Sequence, residues 1–190
     1  MLGAETMNAF GLSVLFGGWL LWVIPFAQAR SRSPRAKVVT IDERGRWGML
    51  LEVLAYIVLW IGPYWRRDPG DLRISFAVAF MILGIALAWG GTRALGKQWR
   101  IEAGLSADHD LVRSGPYRIV RHPIYASMLA MWIATCLLIG RWPRLLASLI
   151  LFIIGTEIRV RVEDALLESR FGEQARNFRR EVSAYIPFIR

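Results

Sequence analysis

The sequence predicts an all-α integral membrane protein of about five transmembrane helices, including a C-terminal helical hairpin, on three observations. Its 190 residues are 55% apolar and have a mean hydropathy of +0.36, which is far too apolar for a soluble domain of that size. The apolar residues are gathered into uncharged runs near membrane length. Lys and Arg fall between those runs, and they fall unevenly.

The first run, Thr6 to Ala29, carries no charge over 24 residues, and at 1.5 Å per residue it exceeds the roughly 30 Å of a hydrocarbon core. Its leading end has Glu5 and neither Lys nor Arg, so it reads as a spanning helix in preference to a cleaved signal peptide. A basic loop follows, with Arg30, Arg32, Arg35, Lys37, Arg44 and Arg46. Trp47 to Trp65 is the second run, with tryptophans at both ends, where indole rings settle among headgroups. Its one ionisable group is Glu52. A charge at that depth is a functional candidate, but near a helix end it can also reach interfacial water or pair with a nearby arginine, and the sequence favours that plainer role. After a turn from Arg66 to Arg73, the third run extends from Ile74 to Thr92, with Gly84, Gly90 and Gly91 able to admit a close neighbour.

Pro123 to Gly140 is a fourth uncharged run, with proline suited to a helix's first turn. Leu145 to Thr156 is too short to cross, at roughly 18 Å. It forms the second arm of a hairpin only if Trp142, Pro143 and Arg144 sit in one interface and the helix continues past Glu157. Beyond that, Val160, Leu166, Leu167 and Phe171 recur at helical spacing with Glu163 on the same stripe, and Gly172 ends the helix. A second amphipathic piece with Phe178 and Val182 leads to Ile186, Pro187 and Phe188, which are suited to lie against the membrane. The division expected is a three-span segment, residues 1–94, and a core, residues 95–190, made of a polar loop, the hairpin and the tail.

Placing the N-terminus outside and the C-terminus in the cytoplasm puts all basic residues but Arg66, Arg67, Arg73, Arg141 and Arg144 on the cytoplasmic side. The polar stretch Trp99 to Tyr125 and the tail then face one compartment, where a site formed jointly draws a soluble cofactor from the cytoplasm and a lipophilic partner from the bilayer. The scattered basic residues form no stripe with stacking aromatics, which argues against nucleic acid. Cys136 is the single cysteine, so neither an intrachain disulfide nor a cysteine-based zinc site is expected. His109 and His122, the only histidines, have no metal-ligand spacing. Neither a GxGxxG nor a phosphate loop is present. Oligomeric state has no signature in the sequence.

Arg159 and Glu163 lie four apart on one helix face. As an ion pair they contribute only a few tenths of a kcal/mol, in the poorer order. As functional groups, a guanidinium offers a fork to a carboxylate, and a carboxylate accepts two hydrogen bonds from a ribose diol. Both readings stand. His122, between Arg121 and Pro123 at the start of a membrane helix, meets free N–H groups and a positive dipole end that attract anions. The more ordinary account is that Arg121 and His122 anchor the helix to lipid phosphate.

Three elements in register resemble the isoprenylcysteine carboxyl methyltransferase family and the related phospholipid amine methyltransferases. Arg121, His122, Pro123 and Tyr125 match an RHPxYxG motif, and Glu163, Leu167, Phe171 and Gly172 match EExxLxxxFG. His109, Leu111, Val112, Gly115 and Tyr117 match HxLVxxGxY. The resemblance covers roughly residues 95 to 188. It implies S-adenosylmethionine as donor and S-adenosylhomocysteine as product. The donor would be held by His109, Asp110, Leu111 and Val112, by Tyr117, by His122, Pro123, Ile124 and Tyr125, and by Glu163, with Glu102 as a further contact. Arg159 is implied as the catalytic, substrate-binding arginine. The acceptor implied is a prenylcysteine-like carboxylate arriving from the bilayer. Lipid amines are an alternative. So is an NADPH-dependent sterol or enone reductase, whose C-terminal half is similar and which would need Arg113, Arg118 and Arg121 for the 2′-phosphate. A non-catalytic scaffold would bind neither nucleotide. The departures are Ser127 for the motif glycine, Asp164 for the second glutamate, and Ala175 and Phe178 where tyrosines are common.

Overall fold

Uncharged runs without internal punctuation fold as helices, and breakers set their ends. The computed structural model describes residues 6–32, 38–66, 68–106 and 108–189. Glu5, Arg35, Lys37 and Arg67, read above as flanking charges, lie outside them. Among the described residues the helices are α1 (Ala9–Arg32), α2 (Arg44–Trp60), α3 (Asp71–Leu95), α4 (Pro123–Ile139), α5 (Trp142–Phe171) and α6 (Glu173–Glu181).

The Asn8 side chain accepts from the Gly11 N–H at 2.8 Å and opens α1 three residues later than the apolar run begins. α2 stops at Trp60 because Gly62, with φ 97°, and Pro63 cannot continue it. Trp65 therefore lies in a short 3-10 turn beyond the helix, not at its end as the sequence suggested. α5 has Pro143 in its first turn and continues through Glu157 to Gly172, whose φ of 53° turns the chain into α6. The short apolar run and the polar tail are thus one helix of 30 residues.

The all-α reading omits one small feature. β1 (Val38–Ile41) pairs antiparallel with β2 (Gly104–Ser106), with Thr40 opposite Leu105 and Ile41 opposite Gly104. This two-stranded sheet ties the α1–α2 connection to the polar stretch before α4. Four-residue and three-residue strands are too short to leave an alternating pattern.

By length and composition, α1 and the Asp71–Gln98 segment are long and apolar enough to cross a membrane, and α4 is a shorter apolar helix. Large apolar side chains point outward along them, among them Phe16 and Leu20 on α1 and Phe76 and Ile82 on α3. A soluble protein rarely exposes such a belt, and lipid covers it without cost. The described fold is mostly helical with two candidate membrane spans, consistent with an all-α membrane protein.

α3 packs along α4, α2 along α5, and α1 against α3. Leu15, Ala77, Met81, Met131 and Ala134 form one apolar core, and Ala55, Leu59, Trp132 and Phe152 form another. Within the second, the Trp132 indole N–H donates to Ser148 Oγ, which donates to the Ala55 carbonyl, both at 2.8 Å. Gly48 and Gly155 let α2 and α5 touch backbone to backbone, since a Cβ on Gly48 would come within 2.6 Å of the Gly155 carbonyl oxygen. That close crossing places Glu52 of α2 beside Arg159 of α5.

Candidate active site

The RHP sequence at the start of α4 is buried by the chain's own tail. Pro123 occupies the first turn of α4. The N–H groups of Arg121 and His122 donate to the carbonyls of Ser183 and Ala184 at 2.9 and 2.8 Å. The N–H at the N-cap of α4, that of His122, is therefore occupied. Arg121 is 4% and His122 5% exposed, which overturns the reading of both as anchors to lipid phosphate.

Their partner is Asp164. The Arg121 guanidinium reaches it through Nε to Oδ1 at 3.1 Å and Nη2 to Oδ2 at 3.0 Å, while Nη1 donates to the Val182 carbonyl at 2.7 Å. His122 meets Asp164 Oδ1 with Nε2 at 2.9 Å and Glu163 Oε2 with Nδ1 at 3.3 Å. Burial disfavours a charged ring at His122, but the carboxylates at its two nitrogens outweigh that and raise its pKa above the usual value. Burial likewise pushes the Asp164 carboxyl up, and the hydrogen bonds from His122 and Arg121 more than reverse this, holding it well below the carboxylate range. Glu163 is also lowered, with His122 overcoming burial.

The network continues into the bundle. The Tyr125 hydroxyl donates to Glu163 in a short hydrogen bond and accepts from Arg159 Nε at 2.8 Å. Arg159 Nη2 donates to the Ile101 carbonyl at 2.8 Å, and Nη1 faces Glu52 Oε2 at 3.5 Å. Arg159 and Glu163 approach only to 3.9 Å, so the i,i+4 pair is the weaker of Arg159's attachments. Glu52 is 1% exposed; of the two plainer roles open to it, pairing with an arginine is the one realised.

A cavity of about 390 Å³ lies against this network. His109, Asp110, Leu111, Val112 and Tyr117 line it, as do Glu102, His122, Ile124, Tyr125, Arg159 and Glu163. Pro123 lies outside the lining, buried where α4 meets Gly91 of α3. His109 Nδ1 is buried without a hydrogen-bond partner. Burial first, and then the charges of Arg100 and Arg170, lower the pKa of His109, so its ring is neutral at pH 7. The Asp110 N–H donates to Gln98 Oε1 at 2.6 Å and holds this loop to the end of α3.

The rest of the wall comes from residues the sequence did not single out. Trp22 and Phe26 of α1, Trp99, and Met128 of α4 also line the cavity. Trp22 and Phe26 meet edge to face at 4.7 Å, and Phe26 tilts against Trp99 at 5.8 Å. Ser127 explains one departure from the motif: its hydroxyl donates to the Ile124 carbonyl at 2.7 Å and accepts from the Trp22 indole N–H at 3.3 Å. The serine thereby fastens α1 to α4. Phe178, another departure, also lines the cavity and lies beneath the Arg113 guanidinium at 4.8 Å.

Comparison with known proteins places this geometry. A phospholipid methyltransferase family model matches residues 72–174. Protein-S-isoprenylcysteine O-methyltransferase of Schizosaccharomyces pombe is 32% identical over 116 residues, which is 60% of this chain and 49% of that protein. Methanethiol S-methyltransferase of Pseudomonas deceptionensis is 36% identical over 75 residues, 39% of this chain and 27% of that protein. The chain thus spans at most about half the length of these curated relatives. The family match, residues 72–174, takes in α4, α5 and all but the first residue of α3, with the side chains of Arg121, His122, Tyr125, Arg159, Glu163 and Asp164, and the chain belongs to the phospholipid methyltransferase family.

Proposed function

We propose that the protein is an S-adenosylmethionine-dependent membrane methyltransferase that acts on a lipophilic acceptor through a carboxylate. One observation carries the reading: a single cavity is lined both by the polar groups of His109, Tyr125 and Glu163 and by the aromatic side chains of Trp22, Phe26 and Trp99, with Arg159 reaching the same space.

The residues fit the donor. A neutral, half-buried imidazole whose Nδ1 is out of solvent and unpaired is suited to a nucleoside's polar edge. The Glu163 side chain is 30% exposed, and its oxygens retain lone pairs for a ribose diol after Tyr125 and His122 have donated. When bound, S-adenosylmethionine supplies a methyl group on a sulfonium, which leaves to form a methyl ester while its electron pair stays on sulfur. Arg159 orients the acceptor carboxylate through its planar fork, and the apolar wall holds the acceptor's hydrocarbon. A carboxylate is already deprotonated at pH 7, so alignment suffices and no base is needed.

An amine acceptor would have to lose a proton. Glu163, whose carboxyl is held low by His122 against the effect of burial, is a weak base for that purpose. The reductase reading fares worse. Of its three required cations, Arg121 is committed to Asp164 and Arg113 to Glu181. In the reading proposed here the chain crosses the membrane five times, its C-terminal face is cytoplasmic, and the acceptor enters from the bilayer.

Calorimetry on detergent-solubilised protein tests the first half: S-adenosylhomocysteine binds and NADP⁺ does not. Methylation of a farnesylcysteine analogue, compared with phosphatidylethanolamine, tests the second. Arg159→Ala is expected to lower kcat/KM for the carboxylate at least about 100-fold while leaving S-adenosylhomocysteine affinity unchanged. Activity that survives this substitution overturns the carboxylate reading.

A further inference from the structure

Glu52 is a buried acid that the scheme above leaves without a task. It sits one turn after Gly48 on α2, where the close approach of α5 removes it from solvent. The Thr156 hydroxyl donates to its Oε1 at 3.1 Å. Its Oε2 makes no hydrogen bond and faces Arg159 Nη1 at 3.5 Å, beyond hydrogen-bond distance. Arg159 lines the cavity and Glu52 does not. The carboxylate therefore stands behind the guanidinium as seen by anything bound in front of it. The other groups at Arg159 are the Tyr125 hydroxyl, the Ile101 carbonyl and, at 3.9 Å, Glu163.

A cation behind an acceptor carboxylate has opposing effects in this reaction. The acceptor is fully charged before methyl transfer and neutral afterwards, so a strong ionic grip stabilises the bound reactant more than the transition state. In a poorly solvated bundle that grip is large. A negative charge on the far side of the guanidinium, present whenever Glu52 is ionised, weakens it while leaving the fork's direction intact.

We propose that Glu52 is a positioning residue for Arg159, a resident counter-charge that lets the arginine orient an acceptor carboxylate without over-binding it. The inference rests on the reading of Arg159 as the acceptor's partner. It assigns Glu52 a function opposite in sign to that of an ordinary supporting contact, because removing its charge tightens binding of the acceptor.

The test is Glu52→Gln in the full-length, detergent-solubilised protein. The amide keeps the shape and an oxygen for Thr156 but loses the charge. Calorimetry without donor measures affinity for N-acetyl-S-farnesylcysteine and for its carboxamide. Steady-state methylation then gives kcat and KM. Glu52→Gln is expected to bind the carboxylate about fivefold more tightly and the carboxamide as before, and to lower KM and kcat together.

A purely structural role for Glu52 shares the fall in kcat but predicts KM unchanged or raised. S-Adenosylhomocysteine binding reports whether each variant is folded. Should Glu52→Gln fail that check, Glu52→Asp, which draws the charge back by one methylene, gives the same shift in smaller measure, about twofold. A wild-type preference for carboxylate over carboxamide that neither variant strengthens sinks the role of Glu52 alone. Equal affinity of the wild-type protein for the two ligands sinks the reading of Arg159, and this proposal with it.

Discussion

The cavity has two kinds of wall, and they were built differently. Its polar wall comes from short contiguous pieces of sequence: Arg121 to Tyr125 at the entry to α4, and Arg159 to Asp164 along one and a half turns of α5. Arg121, His122, Tyr125, Arg159, Glu163 and Asp164 are each held by at least one charged partner. Its apolar wall is assembled from far-separated residues, Trp22 and Phe26 on α1, Trp99 before β2 and Met128 on α4, with ring contacts and the Trp22 indole hydrogen bond to Ser127 among the interactions that hold it. The polar wall has few geometric alternatives, because moving any member strands a buried charge. The apolar wall can exchange one hydrocarbon surface for another at modest cost. A family can therefore keep its chemistry while changing what it methylates.

The sharpest way to break that contrast is to remove Asp164. Asp164→Ala leaves the Arg121 guanidinium, 2% exposed at its side chain, without its carboxylate and deprives His122 of one of its two partners. Loss of one member of a buried pair costs about 3–5 kcal/mol. The strap to Val182 through Arg121 Nη1 loosens with it. Thermal unfolding in detergent, followed by tryptophan fluorescence, reads the loss, and a midpoint unchanged within a degree would refute a structural role for this knot. Asp164→Asn, which keeps the shape and some hydrogen bonding, falls between Asp164→Ala and the wild type.

The same contrast decides what could be read in the chain. Uncharged runs located the helices, with ends displaced by a few residues wherever Asn8, Gly62 or Pro143 set the boundary. His109, Tyr117, His122, Tyr125, Arg159 and Glu163 were legible as a set because they carry chemistry in a recognisable order, and the cavity gathers them. Asp164 was visible only as a departure from a motif. Its value lies in Arg121 and His122, 43 and 42 residues away. Trp22 and Phe26 were not legible at all: an aromatic residue in an apolar helix looks the same whether it meets lipid, a neighbour or a ligand. Glu52 was noticed for its charge, but its partner depends on Gly48 and Gly155 bringing two helices into contact.

A smaller effect sharpens the comparison from the apolar side. Trp22→Ala removes a large ring from the wall and the hydrogen bond to Ser127, but touches no charge. It is expected to raise KM for a farnesylated acceptor roughly tenfold, equivalent to about 1.4 kcal/mol of lost apolar contact, and to leave S-adenosylhomocysteine affinity within a factor of two. Trp22→Phe, which keeps an aromatic surface, recovers most of the loss. If donor affinity fell as far as acceptor affinity, the two walls would not be separate in function.

The smallest effect comes from an arginine that resembles Arg121 only in its chemistry. Arg113 also pairs with a carboxylate, Glu181, and it lies over the Phe178 ring, but its side chain is 44% and that of Glu181 61% exposed. Water already solvates both charges, so the pair gains little by meeting and loses little by parting. Arg113→Ala should cost less than about 1 kcal/mol of stability, mostly through the uncovered ring. It should not change S-adenosylhomocysteine binding. The measurement still discriminates, because a dinucleotide 2′-phosphate would need an exposed cation, which Arg113 is once it exchanges Glu181 for the phosphate, and has no use for the buried Arg121. NADP⁺ binding by the wild-type protein that disappears in Arg113→Ala would move the function from methyl transfer to hydride transfer. Unchanged nucleotide affinity in the variant leaves the buried pair as the arginine–carboxylate contact on which the site's shape depends.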